Sequence, residues 1–174
     1  MKNRTLRQIT AAGVIAAAYA ALSLVLATIT FGAVQCRVSE ALTLLPVLSP
    51  AAVWGVTLGC AITNGVGAAT GANFLGMVDL FVGTAATLLA AITSRLLGKI
   101  RFGGVPWLSA LPPILFNAVA IGAEWCYAAT GSINVAFWAF AGQIALGQLP
   151  PCLLGVWLIH LLERRGLQNI IEGK

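Results

Sequence analysis

Glu40, Asp79 and Glu124 are carboxylates set in runs of Ala, Leu, Val, Ile and Gly, and Arg37 stands three residues before the first of them. Groups of this kind can hold a polar solute through charge-assisted hydrogen bonds, relay a proton, or pair with one another. On insertion scales a charged residue at the centre of a bilayer costs roughly 2.5 to 3.5 kcal/mol, so each needs a partner, water or a ligand. Asn117 and Glu124 are seven residues apart, which places them on one face of a helix about 10 Å apart along its axis. Asp79, Gly83 and Thr87 form a similar stripe of polar and small residues. The other two acids, Glu163 and Glu172, fall at the C-terminal end.

The elements that must position these groups follow from composition. With 59% hydrophobic and 9% charged residues and a mean hydropathy of +0.93, the chain lacks the material for a soluble surface. It reads as an all-α membrane protein, one compact integral-membrane domain over residues 1–174. At roughly 20 residues per span there is room for six. The net charge of +5 does not mark a nucleic-acid binder, because the basic residues form short clusters between apolar runs. Those clusters are Lys2, Arg4 and Arg7, then Arg95, Lys99 and Arg101, then Arg164 and Arg165.

The positive-inside tendency puts all three clusters on the cytoplasmic side of the membrane. Ile9 to Phe31 exceeds the roughly 7 to 15 apolar residues of a signal-peptide core and is expected to be an uncleaved first span. If that run crosses outward and Met77 to Leu97 crosses inward, the stretch Val38 to Asn64 must leave and return on the same side. Pro46 and Pro50 divide it into two short spans or a re-entrant hairpin. Val105 to Ala129 then crosses outward, Gly131 and Ser132 turn, and Ile133 to Leu162 returns as one helix broken at Pro150 and Pro151. The expectation is six transmembrane helices with N- and C-termini cytoplasmic.

In this arrangement the outward connections are Gly32 to Ser39, Gly65 to Gly76 and Thr130 to Asn134, and Arg37, Glu40, Asp79 and Glu124 converge near the outer face. Plainer roles compete with a shared site. Arg37 and Glu40 suit a local ion pair at a helix start capped by Ser39, and Asp79 suits an acid at a helix N-terminus. Glu124, between Ala123 and Trp125, has no cationic neighbour and points to a polar cavity. Trp107, Trp125, Tyr127 and Trp138 read as interfacial anchors, with Trp125 or Trp138 available to stack on a planar ligand. His160 reads as interfacial. Cys36, Cys60, Cys126 and Cys152 have no metal-site spacing and read as small packing residues, so no metal or other cofactor is expected.

Ala12, Ala16 and Ala20 recur every four residues in the first span, flanked by Gly13, Ala17 and Ala21. A smooth seam of this kind suits close approach of a helix, from inside the chain or from a partner. No phosphate-binding loop, nucleophile elbow or H-E-x-x-H occurs, so nucleotide hydrolysis and other catalysis are not expected.

The run Val34-Gln35-Cys36-Arg37-Val38-Ser39-Glu40-Ala41-Leu42-Thr43-Leu44-Leu45-Pro46, with Gly55 to Asn64, Asp79 to Leu89 and Pro113 to Asn117, resembles the QueT family. Members are substrate-binding S components of energy-coupling factor (ECF) transporters associated with queuosine precursors. The resemblance implies a six-helix S-component bundle that captures a deazaguanine from outside. It also implies a transmembrane T subunit and two ABC ATPase subunits as partners, with Ala12, Ala16 and Ala20 docking on the T subunit. Arg37, Glu40, Asp79, Asn117, Glu124 and Gln143 would then bind the ligand: carboxylates and amides suit the N–H edge of a guanine, and Arg37 its carbonyl. Where the family often carries a Gly-Glu pair entering the last segment, this chain has Gly147-Gln148. The rival readings are an S component for another vitamin-like solute and a stand-alone channel or proton-coupled transporter using Glu124 and Asp79 as a relay.

Overall fold

In lipid every backbone N–H and C=O must find its partner within the protein, and the apolar runs meet this need by forming helices. A computed structural model of the chain describes residues 2–32 and 34–166. Glu172 lies outside the described residues. The helices are α1 (Lys2–Val25), α2 (Ala27–Thr30), α3 (Pro50–Thr70), α4 (Met77–Leu97), α5 (Leu111–Thr130) and α6 (Phe137–Arg164). Between α2 and α3 lies a ten-residue 3₁₀ helix, Val38–Val47, and a shorter one, Trp107–Ala110, leads into α5. Five helical segments, Arg4–Val25, Pro50–Thr70, Met77–Leu97, Trp107–Thr130 and Phe137–Arg164, are long and apolar enough to cross a membrane.

Local chemistry sets the boundaries. Ser49 accepts a hydrogen bond from the Ala51 amide at 3.3 Å and Pro50 follows at the first helical position, which starts α3. Gly71 at φ 72° ends it in the left-handed conformation that an L residue resists. The stretch expected as two short spans or a hairpin is thus a 3₁₀ helix followed by a full-length helix that runs past Asn64 to Thr70. The connection expected over Gly65 to Gly76 shrinks to residues 71–76. Pro150 and Pro151 do not break α6, which is continuous from Phe137 to Arg164. They delete only the amide donors that would meet the carbonyls of Leu146 and Gly147. The helix persists because it packs along α5 and the 3₁₀ segment.

The 3₁₀ segment runs through the middle of the bundle, against α1, α3, α4 and α6. At its start Arg37 faces Asp79 in the first turn of α4, and at its end the Pro46 carbonyl accepts from Arg95 at 2.7 Å, in the last turn of α4. Ten residues reach that far because a 3₁₀ helix rises about 2.0 Å per residue, roughly 20 Å in all, where an α-helix of ten would give about 15 Å. Residues three apart eclipse one another, and Thr43 accordingly donates to Glu40 at 2.8 Å.

α1 and α3 lie side by side and run the same way, Gly55 against Ala12 and Gly59 against Ala16 and Tyr19. A Cβ on Gly59 would stand 2.6 Å from Tyr19 Cβ and 2.9 Å from the Ala16 carbonyl oxygen, so α3 supplies bare backbone to this contact. Ala16 and Ala20 are buried in the bundle and Ala12 is half-buried. This corrects the expectation that the three alanines form an outward seam: two are consumed by internal packing, and the exposed small residues are Gly13, Ala17 and Ala21.

The start of α1, the turn between the 3₁₀ segment and α3, the α4–α5 connection and the end of α6 share one end of the bundle. Arg101 pairs there with Glu163 through two nitrogen–oxygen contacts of 2.5 and 2.7 Å. Polarity is inverted relative to a soluble protein. Trp54, Phe81, Leu115 and Trp157 face outward, while Glu40, Asp79, Asn64 and Thr63 have no exposed surface. A multi-pass membrane protein accounts for both.

Candidate functional site

Asp79 sits in the first turn of α4, after Gly76 at φ 61°, where helix geometry favours an acid. Three elements hold it. Asn73, in the preceding connection, donates to its Oδ2 at 2.7 Å; Asn64 of α3 donates to its backbone carbonyl at 2.9 Å; and Arg37 Nη2 approaches Oδ2 at 3.7 Å. Arg37 also lies over the Phe31 ring, 5.7 Å from its centroid, and donates to Cys60 Sγ at 3.6 Å. The local pair expected between Arg37 and Glu40 is replaced by this longer-range one. Ser39 is no cap either: its hydroxyl bonds that of Ser23 at 2.6 Å.

Glu40 is fully buried deeper in the bundle, accepting from the Tyr19 hydroxyl at 2.7 Å and from Thr43 at 2.8 Å. It ties the 3₁₀ segment to α1. Cys60 is more than a packing residue, since its sulfur also accepts from Thr87 at 3.2 Å and from Asn64 at 3.5 Å.

α5 and α6 form the facing wall. Glu124 is half-buried, with both carboxylate oxygens shielded and unpartnered. Trp125 lies between Phe74 (ring centroids 5.5 Å apart, planes 24° apart) and Phe140 (6.5 Å, 22°), linking the connection before α4 to α6. Phe74 adjoins Asn73, so the stack borders the Asp79 cluster. Gln148 is buried on α6, its Nε2 directed at the Gln35 carbonyl at 3.5 Å. Gln35 holds φ at 48°, uncommon for a residue with a side chain. Asn117 is buried two turns inward from Glu124, and Gln143 is half-buried on α6; neither side chain has a hydrogen bond among the described residues. Between α4 and α5 a groove of about 490 Å³ is lined by Phe74, Val78, Val82, Val119, Glu124 and Tyr127.

Of the sequence-predicted residues, the structure brings Arg37 and Asp79 into one cluster at the end opposite the basic groups. It places Glu124 on the adjoining wall and gives Glu40 partners of its own. Sequence reasoning did not count Asn64, Asn73, Phe74, Phe140 or Gln148 among the site residues. Asn73 carried a signal: a lone amide between Gly71 and Gly76, just ahead of an intramembrane acid.

What distinguishes this region is hydrogen-bonding capacity left over. Arg37 Nε and Nη2 and Trp125 Nε1 are buried donors without hydrogen-bond acceptors, and Asp79 Oδ1, Asn64 Oδ1, Gln148 Oε1 and both Glu124 oxygens are buried acceptors without donors. Buried polar groups are otherwise almost always satisfied, so a concentration of spare donors and acceptors beside an aromatic stack suits a small polar, planar molecule. No group of three His, Cys, Asp or Glu side chains able to hold a metal exists among the described residues.

A lipid-embedded helical bundle with a polar site buried at one end is the design of a membrane transport protein. The chain belongs to the QueT transporter family, whose model matches residues 9–164. Comparison with curated proteins and comparison with solved structures returned no match.

Proposed function

We propose that the protein is the substrate-binding S component of an ECF-type ABC importer in a bacterial plasma membrane, taking up a deazaguanine precursor of queuosine. The observation that carries this reading is the unsatisfied polar cluster in a chain of the QueT transporter family that has no nucleotide-binding motif. With the basic end cytoplasmic, the 3₁₀ segment is the sixth crossing, both termini are inside, and the cluster opens toward the outer face.

Arg37 then meets the ring carbonyl, while Asp79, Asn117, Glu124 and Gln143 read the N–H edge and Trp125 contributes its face. Glu40 supports the site from below through Tyr19 and Thr43. Energy comes from two ABC ATPases coupled through a T subunit. That subunit docks on α1 at the exposed Gly13, Ala17 and Ala21 and at the adjoining groove of about 460 Å³, lined by residues that include Ile9, Ala12, Trp54 and Leu58. The test is uptake of a labelled deazaguanine into proteoliposomes. ATP-dependent uptake only when T and ATPase subunits are present supports the reading. Uptake by this chain alone, driven by a proton gradient, contradicts it and favours a relay through Glu124 and Asp79.

A further inference from the structure

We propose that the basic end of the bundle carries a binding surface for anionic phospholipid, formed where the α4–α5 connection meets the end of α6. It holds whatever solute the far end receives. The cations are Lys99 and Arg101 on the connection and Arg164 and Arg165 at the end of α6, and all four are exposed. Glu163 is the one acid at this end among the described residues, and Arg101 already pairs with it. Lys99, Arg164 and Arg165 therefore stand around that pair with no acid opposite them among the described residues.

Local structure holds these charges in place beside apolar surface. Phe102 and Val105 exchange two backbone hydrogen bonds of 3.1 Å around Gly103 and Gly104, whose φ values of 61° and 81° suit a two-residue hairpin turn. Arg101 fixes the hairpin to α6, donating to the Gly104 carbonyl at 3.2 Å as well as to Glu163. At the root of the connection a Cβ on Gly98 would stand 2.7 Å from the Val47 side chain, so the backbone is seated closely on the end of the 3₁₀ segment. Ile100, Phe102 and Trp107 are nonetheless 46%, 58% and 50% exposed. Apolar and aromatic side chains at the rim of a membrane-embedded bundle suit the headgroup level, and cations at that level attract the anionic lipids of the cytoplasmic leaflet. A phospholipid answers both features, its phosphodiester meeting the cations and its acyl chains covering the apolar side chains. A free phosphate or an acidic protein face would answer only the charge.

The test is native mass spectrometry of the full chain, purified in mild detergent and titrated with dioleoylphosphatidylglycerol or dioleoylphosphatidylcholine. The wild type is expected to bind the anionic lipid roughly tenfold or more tightly than the zwitterionic one. Lys99→Gln, Arg164→Gln and Arg165→Gln together are expected to reduce that preference to about twofold or less. Lys2→Gln, Arg4→Gln and Arg7→Gln together, an equal loss of charge on α1, are expected to leave most of it in place. Glu163→Gln, which releases Arg101 to the lipid, is expected to raise the preference severalfold, and it decides the matter if the patch variant does not fold. Equal affinity for the two lipids in the wild type, equal losses in the two triple variants, or no rise in Glu163→Gln overturns the proposal. Displacement of the lipid by an equal concentration of glycerol phosphate also overturns it, as a phosphate site without a lipid contribution. So does a patch variant that keeps its lipid preference but no longer co-purifies with T and ATPase subunits, which makes this face a protein interface.

Discussion

Glu40 and Glu124 show how differently two intramembrane carboxylates can be used. Glu40 accepts two hydroxyl hydrogen bonds in a fully buried setting, whereas the Glu124 oxygens accept none. Replacing Glu40 by Ala strands the Tyr19 and Thr43 hydroxyls, and thermal unfolding in detergent is expected to show a loss of about 1 to 3 kcal/mol or more. An unchanged melting temperature would deny Glu40 its supporting role. The acids were legible in the sequence because charge in an apolar run is conspicuous. Their partners were less so: Asn64, Asn73 and Gln148 are neutral, and their importance arises from contacts between elements that no local spacing encodes. Arg37 shows the limit from the other side, since its nearest acid in sequence is Glu40 and its partner in space is Asp79.

At the scale of elements, four full-length spans were readable from hydropathy alone, because period and length suffice where the solvent is lipid. The 3₁₀ segment was recognisable only as part of a proline-divided stretch that it shares with α3. Its 3₁₀ geometry depends on the distance it must cover between Asp79 and Arg95, a property of the assembled bundle. The alanine seam failed as an outward surface for a related reason: small residues permit close approach without saying by which helix, and α3 presents Gly55 and Gly59 to that face. Gly59→Val is therefore expected to force α1 and α3 apart, costing about 1 to 3 kcal/mol by overpacking. Gly13→Ala, where an added Cβ meets nothing within 4 Å, is expected to leave stability unreduced. Equal effects of the two substitutions on thermal unfolding would contradict the α1–α3 packing described.

For the whole molecule, the two ends of the bundle divide the work. One end carries the basic clusters and the Arg101–Glu163 pair, whose side chains are 32% and 23% exposed. Glu163→Gln is expected to cost less than about 1 kcal/mol in thermal unfolding, because a partly solvated ion pair contributes little; a larger loss would make the pair a structural clamp. The other end gathers Arg37, Asp79, Asn64, Asn73 and the Trp125 stack around unspent hydrogen-bonding capacity, and the central claim is that this end receives a deazaguanine. The most direct measurement is equilibrium titration of the chain, purified without any partner subunit, with 7-deazaguanine, alongside Arg37→Lys. The account predicts one saturable site in the wild type, weakened roughly tenfold or more in Arg37→Lys because an ammonium lacks the planar donor fork of a guanidinium. Absence of saturable binding by the folded wild type, or unaltered affinity in Arg37→Lys, would contradict it.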